Sequence, residues 1–183
     1  PLSRARATAR ACGCFERMSF RLCDGLSGIA PEEVDALVIA GMGGETIANI
    51  LEAAPWVKGK NFPIILQPMS TQAELRGWLW RNGFLCLREK TVLEGETLYS
   101  IILARQGGAV PMTPAEEWAG RQYPGMEDPL RGLLLDHLLG RVRRALDGMA
   151  RSRAPAEARR RELEQVLEGL MEMRKEWDAW QQR

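Results

Sequence analysis

Reactive side chains are scarce in this sequence. There is one histidine, His137, in 183 residues. The four cysteines, Cys12, Cys14, Cys23 and Cys86, form no Cys-x-x-Cys pair and no zinc-finger spacing. No metal site is therefore expected. Hydrolysis by a metal ion or by a Ser/Cys triad lacks its parts, because no base is available to be oriented by an acid. Free thiols in a cytosolic protein are the expected state of the cysteines. Long apolar runs are missing too: Ala36 to Ala40 is far short of the roughly 20 residues that span a bilayer, so no membrane association is expected. The first twelve residues are rich in Arg and Ala without an apolar stretch, unlike a secretory leader. With 45% hydrophobic and 27% charged residues, the composition excludes a disordered chain, collagen and a disulfide miniprotein.

Charge is balanced overall, at +1, but unevenly laid out. Arg131 to Arg161 holds nine arginines against three acids, Asp136, Asp147 and Glu157, a local net of +6. The compensating acids follow, from Glu162 to Asp178. A basic block within a neutral protein is either a nucleic-acid footprint or a solvated helix face.

Two architectures follow one another. In the first, Met18–Cys23 reads as a strand, and Asp35–Ala40 as a stronger one whose near-continuous apolar run suits a strand covered on both faces. A helix follows over Glu45–Ala54, stopped by Pro55, then a buried strand over Phe62–Leu66. Ser70 or Thr71 caps a helix that runs through Arg81 and stops at Asn82-Gly83. Phe84–Leu93 and Thr97–Ala104 read as two strands joined by the three-residue loop Glu94-Gly95-Glu96. Alternating strands and helices imply parallel strands in a doubly wound sheet, with one antiparallel strand at the end.

Gln106 to Pro114 reads as a linker. Beyond it, Leu135, Leu139, Val142, Leu146 and Met149, then Leu163, Val166, Leu170, Met173, Trp177 and Trp180, recur in steps of three and four. Both are heptad stripes, so two long antiparallel helices forming a coiled-coil hairpin are expected, connected through Ser152–Pro155. The boundary falls between residues 1–108 and 109–183. His137 lies on the helical arm, where a solvent-facing role is expected.

In an open α/β sheet, ligands bind beyond the carboxyl ends of the strands. Three such ends carry unusual residues: Asp24-Gly25, Gly41-Met42-Gly43-Gly44 and Gln67-Pro68-Met69. All three are expected on one edge of the sheet. The glycines expose backbone groups to close approach, but they match neither the dinucleotide fingerprint nor a phosphate loop, which argues against a nucleoside triphosphate. Asp24 can accept from an adenine amino group or a ribose hydroxyl, and Gln67 can donate to and accept from a base edge. A site without a nucleophile–base pair fits group transfer, in which the donor carries the reactive group and the protein aligns it.

The run from Val34 to Leu51, together with Ile65-Leu-Gln-Pro-Met69, Leu75-Arg-Gly-Trp-Leu79, Asn82-Gly-Phe84, Leu98-Tyr-Ser-Ile101 and Tyr123-Pro-Gly, resembles the bacterial tRNA (adenine-22-N1)-methyltransferases in order and spacing. The resemblance implies a Rossmann-like methyltransferase sheet over 1–108, a helical coiled-coil tRNA-binding domain over 109–183, S-adenosylmethionine as methyl donor, tRNA as substrate and a cytoplasmic location. Carried over by position, it places Asp24, Gly25, Ala40, Gly41 and Met42 beside the donor, although Cys23 stands where the family has a first Gly. It places Gln67, Pro68 and Gly43 at the target base. Met69 stands where some members have Asn. Arg76 and Tyr99 also match. The arginines Arg141, Arg143, Arg144, Arg151 and Arg153 would grip phosphates.

One family feature is unmatched. Members begin with an Asp-x-Gly-x-Asp strand-loop and a second strand ending in an acid, whereas this chain begins at Pro1 in what reads as a helix. The resemblance therefore implies a longer protein whose sheet has two further strands, and weak donor binding by the chain as it stands. The competing reading is a non-catalytic RNA-binding or assembly module on a degraded α/β domain. A third is an enzyme for another adenosine ligand.

Overall fold

The computed structural model describes residues 2–151 and 157–182. Its elements are α1 (Leu2–Ala11), β1 (Leu37–Gly43), α2 (Gly44–Glu52), β2 (Ile64–Ser70), α3 (Gln72–Arg81), β3 (Phe84–Glu94), β4 (Thr97–Gln106), α4 (Pro114–Ala119), α5 (Arg131–Arg151) and α6 (Glu157–Gln181). The expected connection Ser152–Pro155 lies outside the described residues. Among the described residues no helix is long and apolar enough to cross a membrane.

The sheet has the order β1-β2-β4-β3. β1 and β2 are parallel, which requires the crossover that α2 supplies. The helix α3 carries the chain from β2 past one strand position to β3, and the β3–β4 hairpin then returns β4 into the gap, antiparallel to both neighbours. The antiparallel strand is therefore internal, and β3 forms the edge. Glu94 pairs with Thr97, so the hairpin loop is the two-residue Gly95-Glu96 rather than the expected three.

Two expectations for the first segment are corrected. Met18–Cys23 is not a strand: among the described residues it pairs with none of β1–β4, and Leu22 is 91% exposed. Nor is β1 covered on both faces. Leu37 and Ile39 are buried while Val38 is 64% exposed, because α2 and α3 both return on the same side of the sheet. On that side Ile47, Leu51, Leu75 and Leu79 pack on Ile39, Ile64, Leu66, Phe84 and Ile102 as one core.

The arm has its own core. Leu135, Leu138, Leu139 and Val142 of α5 meet Leu163, Val166, Leu170, Met173 and Trp177 of α6, while Leu146, Met149 and Trp180 of the expected stripes are half-buried. The expected linker leads into a short helix, α4, opened by Thr113 and Glu116, which cap each other's backbone N–H groups. Ala115 and Ala119 of α4 join the arm's core.

Candidate active site at the ends of two parallel strands

The glycine-rich run and Gln67-Pro68-Met69 do not follow their strands; they extend them. The parallel ladder continues past the apolar runs, with Ala40 opposite Gln67, Met42 opposite Pro68 and Gly43 opposite Ser70. Gly41 is skipped on β1 and Met69 on β2, giving two successive bulges, one on each strand. On its other edge β2 is paired with β4 only over Ile64–Leu66, so Pro68, which has no N–H to donate, costs no ladder bond there.

The first bulge shapes the site. Gly41 takes φ +76°, a conformation that disfavours any side chain, and nothing lies within 4 Å of where its Cβ would stand. Its freed N–H donates to Gln67 Oε1 at 2.8 Å. That bond fixes the amide's orientation and leaves Gln67 Nε2 with only long contacts, 3.4 Å to the Pro68 carbonyl and 3.4 Å to Met69 Sδ. The result is a half-buried amide donor beside exposed backbone at Ala40, Gly41 and Met42.

Behind this surface the chain turns sharply. Thr71 adopts the left-handed φ of 49°, uncommon for a residue with a branched Cβ. The turn is held by Glu45 N–H donating to Thr71 Oγ1 at 3.2 Å. Gly44 is buried directly against it, and a Cβ there would overlap the Thr71 carbonyl oxygen. Two strand ends and two helix starts are thus locked together by a glycine and a strained threonine. The glycine run was legible in the sequence; the strained threonine opposite it was not, because nothing local marks Thr71 for a left-handed turn.

Asp24-Gly25 sits in a turn after the irregular segment, Asp24 exposed and Gly25 packed against Ile50 of α2. Ile50 is six residues along α2 from Gly44, about 9 Å at 1.5 Å per residue. Of the three segments expected on one edge, the parallel ladder joins those of Gly41 and Gln67. The strand-end surface is open at Gly41, with exposed backbone on either side, and the Asp24 turn packs on α2.

No ionisable side chain stands within the Ala40–Gly44 or Gln67–Ser70 runs. Cys86 is no nucleophile in waiting: burial, then the Glu89 carboxylate, push its thiol up to about 12. Arg76 is fully buried, its Nε and Nη2 on Glu89 and its Nη1 on the carbonyls of Glu117 and Trp118, so it ties α3 to β3 and α4. Tyr99 is half-buried on β4 opposite Val92. What this arrangement can do is hold a flat ligand by its edge and exclude side-chain bulk from one face.

A profile of the methyltransferase domain matches residues 1–102. The chain belongs to this methyltransferase family. It is also 34% identical over 107 residues to the tRNA (adenine(22)-N(1))-methyltransferase of Bacillus subtilis (strain 168), covering 58% of this chain and 45% of that protein. The chain thus spans less than half the length of that curated relative. Among solved structures it resembles Sp1610 of Streptococcus pneumoniae (TM-score 0.78, 24% identity, 95% of this chain and 77% of that one). It also resembles M. capricolum TrmK in complex with S-adenosyl-homocysteine (TM-score 0.73, 18% identity, 96% and 76%). At these identities the two structures establish the shared fold.

The expected RNA contacts divide on the structure. Arg141, Arg143, Arg144 and Arg151 are exposed on α5, and His137 is exposed as expected. Arg153 lies outside the described residues. Arg131, counted in the basic block, is no surface cation: it is buried and donates to the carbonyls of Ala119 and Gly120. Burial pulls its guanidinium down to about 10, so it stays charged at neutral pH. Arg159 and Arg160 are paired with Glu162 and Glu164, which dilutes the block further.

Proposed function

We propose that this methyltransferase transfers the methyl group of S-adenosylmethionine to N1 of an adenine in tRNA, position 22 in the numbering of its B. subtilis relative. The observation that carries the reading is the Gly41–Gln67 pair at the bulged strand end. Gln67 Oε1 is occupied by the Gly41 N–H, so the amide meets a ligand as a donor, suited to an acceptor nitrogen of the base other than N1, whose lone pair stays free to react.

The donor, when bound, supplies an electrophilic methyl carbon on a sulfonium. Adenine N1 carries a free lone pair at neutral pH, so it needs placement rather than deprotonation; the new N–C bond forms as the C–S bond breaks, and the positive charge passes to the base. A site without ionisable side chains suffices for that step. In this reading Gln67, Pro68 and Gly43 hold the target base, which must leave its stack to reach them. Ala40, Gly41 and Met42 line the donor's side, with Asp24 and Gly25 recruited from their turn. The two parts are a methyltransferase domain over 1–108 and a coiled-coil tRNA-binding domain over 109–183, working in the cytoplasm. Arg141, Arg143, Arg144, Arg151 and Arg153 supply phosphate contacts.

The test is mass spectrometry of nucleosides from unmodified tRNA incubated with the protein and S-adenosylmethionine. One methyl group at adenine N1, absent from a transcript with guanosine at position 22, is the expected result. RNA binding without methyl gain overturns it in favour of a non-catalytic RNA-binding module.

A further inference from the structure

Between the start of α3 and the helical arm lies a cavity of about 130 Å³. Its walls come from segments far apart in sequence: Thr71 and Glu74, Trp118 of α4, Leu138 and Arg141 of α5, and Arg159 of α6. Arg141 has no carboxylate within ion-pair distance among the described residues. Its guanidinium instead lies 5.6 Å from the centre of the Trp118 ring, a cation–π contact that holds it without neutralising it. Arg159 is paired with Glu162 across 2.8 Å, but both side chains are about half exposed, so that pair is weak and exchangeable. Glu74 is the one acid among the lining residues, against Arg141 and Arg159, and Glu162 outside the wall offsets Arg159 until a ligand displaces it.

Position gives this charge a purpose. Thr71 directly follows Ser70, whose partner across the ladder is Gly43. Gln67 and Thr71 are four positions apart, about 13 Å at most. The cavity therefore opens beside the strand-end site, on the side where the arm meets the sheet. Arg143, by contrast, lines a different cleft with Leu139, Met171 and Lys175. The volume suits a phosphate group and its waters rather than a nucleoside.

We propose that this cavity binds a backbone phosphate of the RNA strand that carries the target adenine, with Arg141 and Arg159 gripping its oxygens from two helices and Trp118 holding Arg141 in place. The inference rests on the reading of the protein as an RNA methyltransferase and adds an anchor that sets the target nucleotide against Gln67. Arginine suits this role because its planar fork matches two phosphate oxygens at once.

The test measures binding of unmodified tRNA by fluorescence anisotropy across a salt series. R141A/R159A is expected to weaken binding at least about tenfold and to lower the slope of log affinity against log salt by about 1, the value for one lost phosphate contact. R141K/R159K is expected to keep the slope and recover only part of the affinity. Lys90→Ala, an exposed cation on β3 away from the cavity, is expected to keep both. Arg141 and Arg159 are exposed, so melting by circular dichroism should match the wild type in each variant. Wild-type affinity or wild-type slope in R141A/R159A overturns the anchor while leaving the methyltransferase reading intact. Failure of the unaltered protein to bind tRNA overturns both.

Discussion

The sheet and the arm are each apolar inside, while the joint between them, beside the apolar contact of Leu98 with the arm's core, is held by buried polar groups. Within the sheet layer, side chains such as Ile47, Leu66 and Leu79 are fully buried against one another; within the arm, Leu135 and Leu170 are. Across the joint the contacts change character. Arg76 binds Glu89 and two carbonyls of α4, Trp80 Nε1 donates to Glu117 Oε1 at 2.8 Å, and Thr91 Oγ1 donates to Asp128 Oδ2 at 2.7 Å. Apolar cores tolerate many packings, whereas a buried guanidinium bonded to fixed carbonyls accepts one geometry. The joint thus fixes how the arm is set against α3 and β3. Under the proposed function, catalysis by placement would need that setting more than extra stability.

Breaking the joint should have the largest effect. Arg76→Leu leaves Glu89 and the Glu117 and Trp118 carbonyls buried without their partner, at a cost of about 3–5 kcal/mol. Hydrogen exchange read by mass spectrometry should then show lost protection at the joint itself, in α3, β3 and α4. Unchanged exchange in those three elements would show that Arg76 does not hold the joint. Next comes a cut inside one region. Leu170 is fully buried in the arm, and Leu170→Ala should cost about 3 kcal/mol, with lost protection in α5 and α6 and little in β1 or β2. Equal loss in the sheet would erase the contrast between the two regions.

The sequence marked the cores and missed the joint, for a physical reason. Periodicity reports which side chains avoid water, so the strand runs and both heptad stripes stood out. Arg76 and Arg131 sit on helices where arginine ordinarily faces solvent, and nothing local says that each caps a distant carbonyl. One signal was available: Thr113-Pro114-Ala115-Glu116 has the form of a capping box, and it opens α4 within what reads as linker. The strand-end residues were partly legible. Gly41 and Gln67 stood out as types, but their hydrogen bond depends on a register shift between β1 and β2, which no single segment encodes. Met18–Cys23 shows the converse. A strand-like pattern becomes a strand only through pairing, and among the described residues none of β1–β4 pairs with this segment.

The strand-end site allows a sharper cut on the sheet side alone. Gly44→Ala drives a Cβ into the Thr71 carbonyl, so the turn must shift. A cost of about 1–3 kcal/mol is expected, together with loss of methyl transfer, while the arm keeps its protection. Gln67→Ala is milder in stability, about 1 kcal/mol, since one exposed backbone donor loses its acceptor. Its effect should fall on methyl transfer at saturating tRNA, with binding of tRNA preserved. Gln67→Glu separates the two parts of the amide: it keeps an acceptor for Gly41 and removes the donor for the base. If Gln67→Glu transfers methyl groups as the wild type does, the amide nitrogen has no role at the base.

The smallest effect belongs to the periphery of the sheet region, where Arg21 holds Glu33 in a fully exposed ion pair. The Arg21 hydrogen bonds, then the Ala30 N–H, lower the Glu33 carboxyl from its ordinary 4.5 to about 2. A carboxylate depressed in the folded state contributes stability above its unfolded pKa and loses it as pH falls through the folded value. Any contribution from this pair is therefore present above about pH 4.5 and disappears towards pH 2, and salt screens it throughout. Glu33→Gln should flatten the acid limb of the stability curve slightly in low salt and change nothing at neutral pH in high salt. A large loss at neutral pH would mean that this surface pair helps to hold the irregular segment around Asp24. The turn would then belong with the rigid parts of the molecule, and the sheet side would prove as dependent on polar contacts as the joint is.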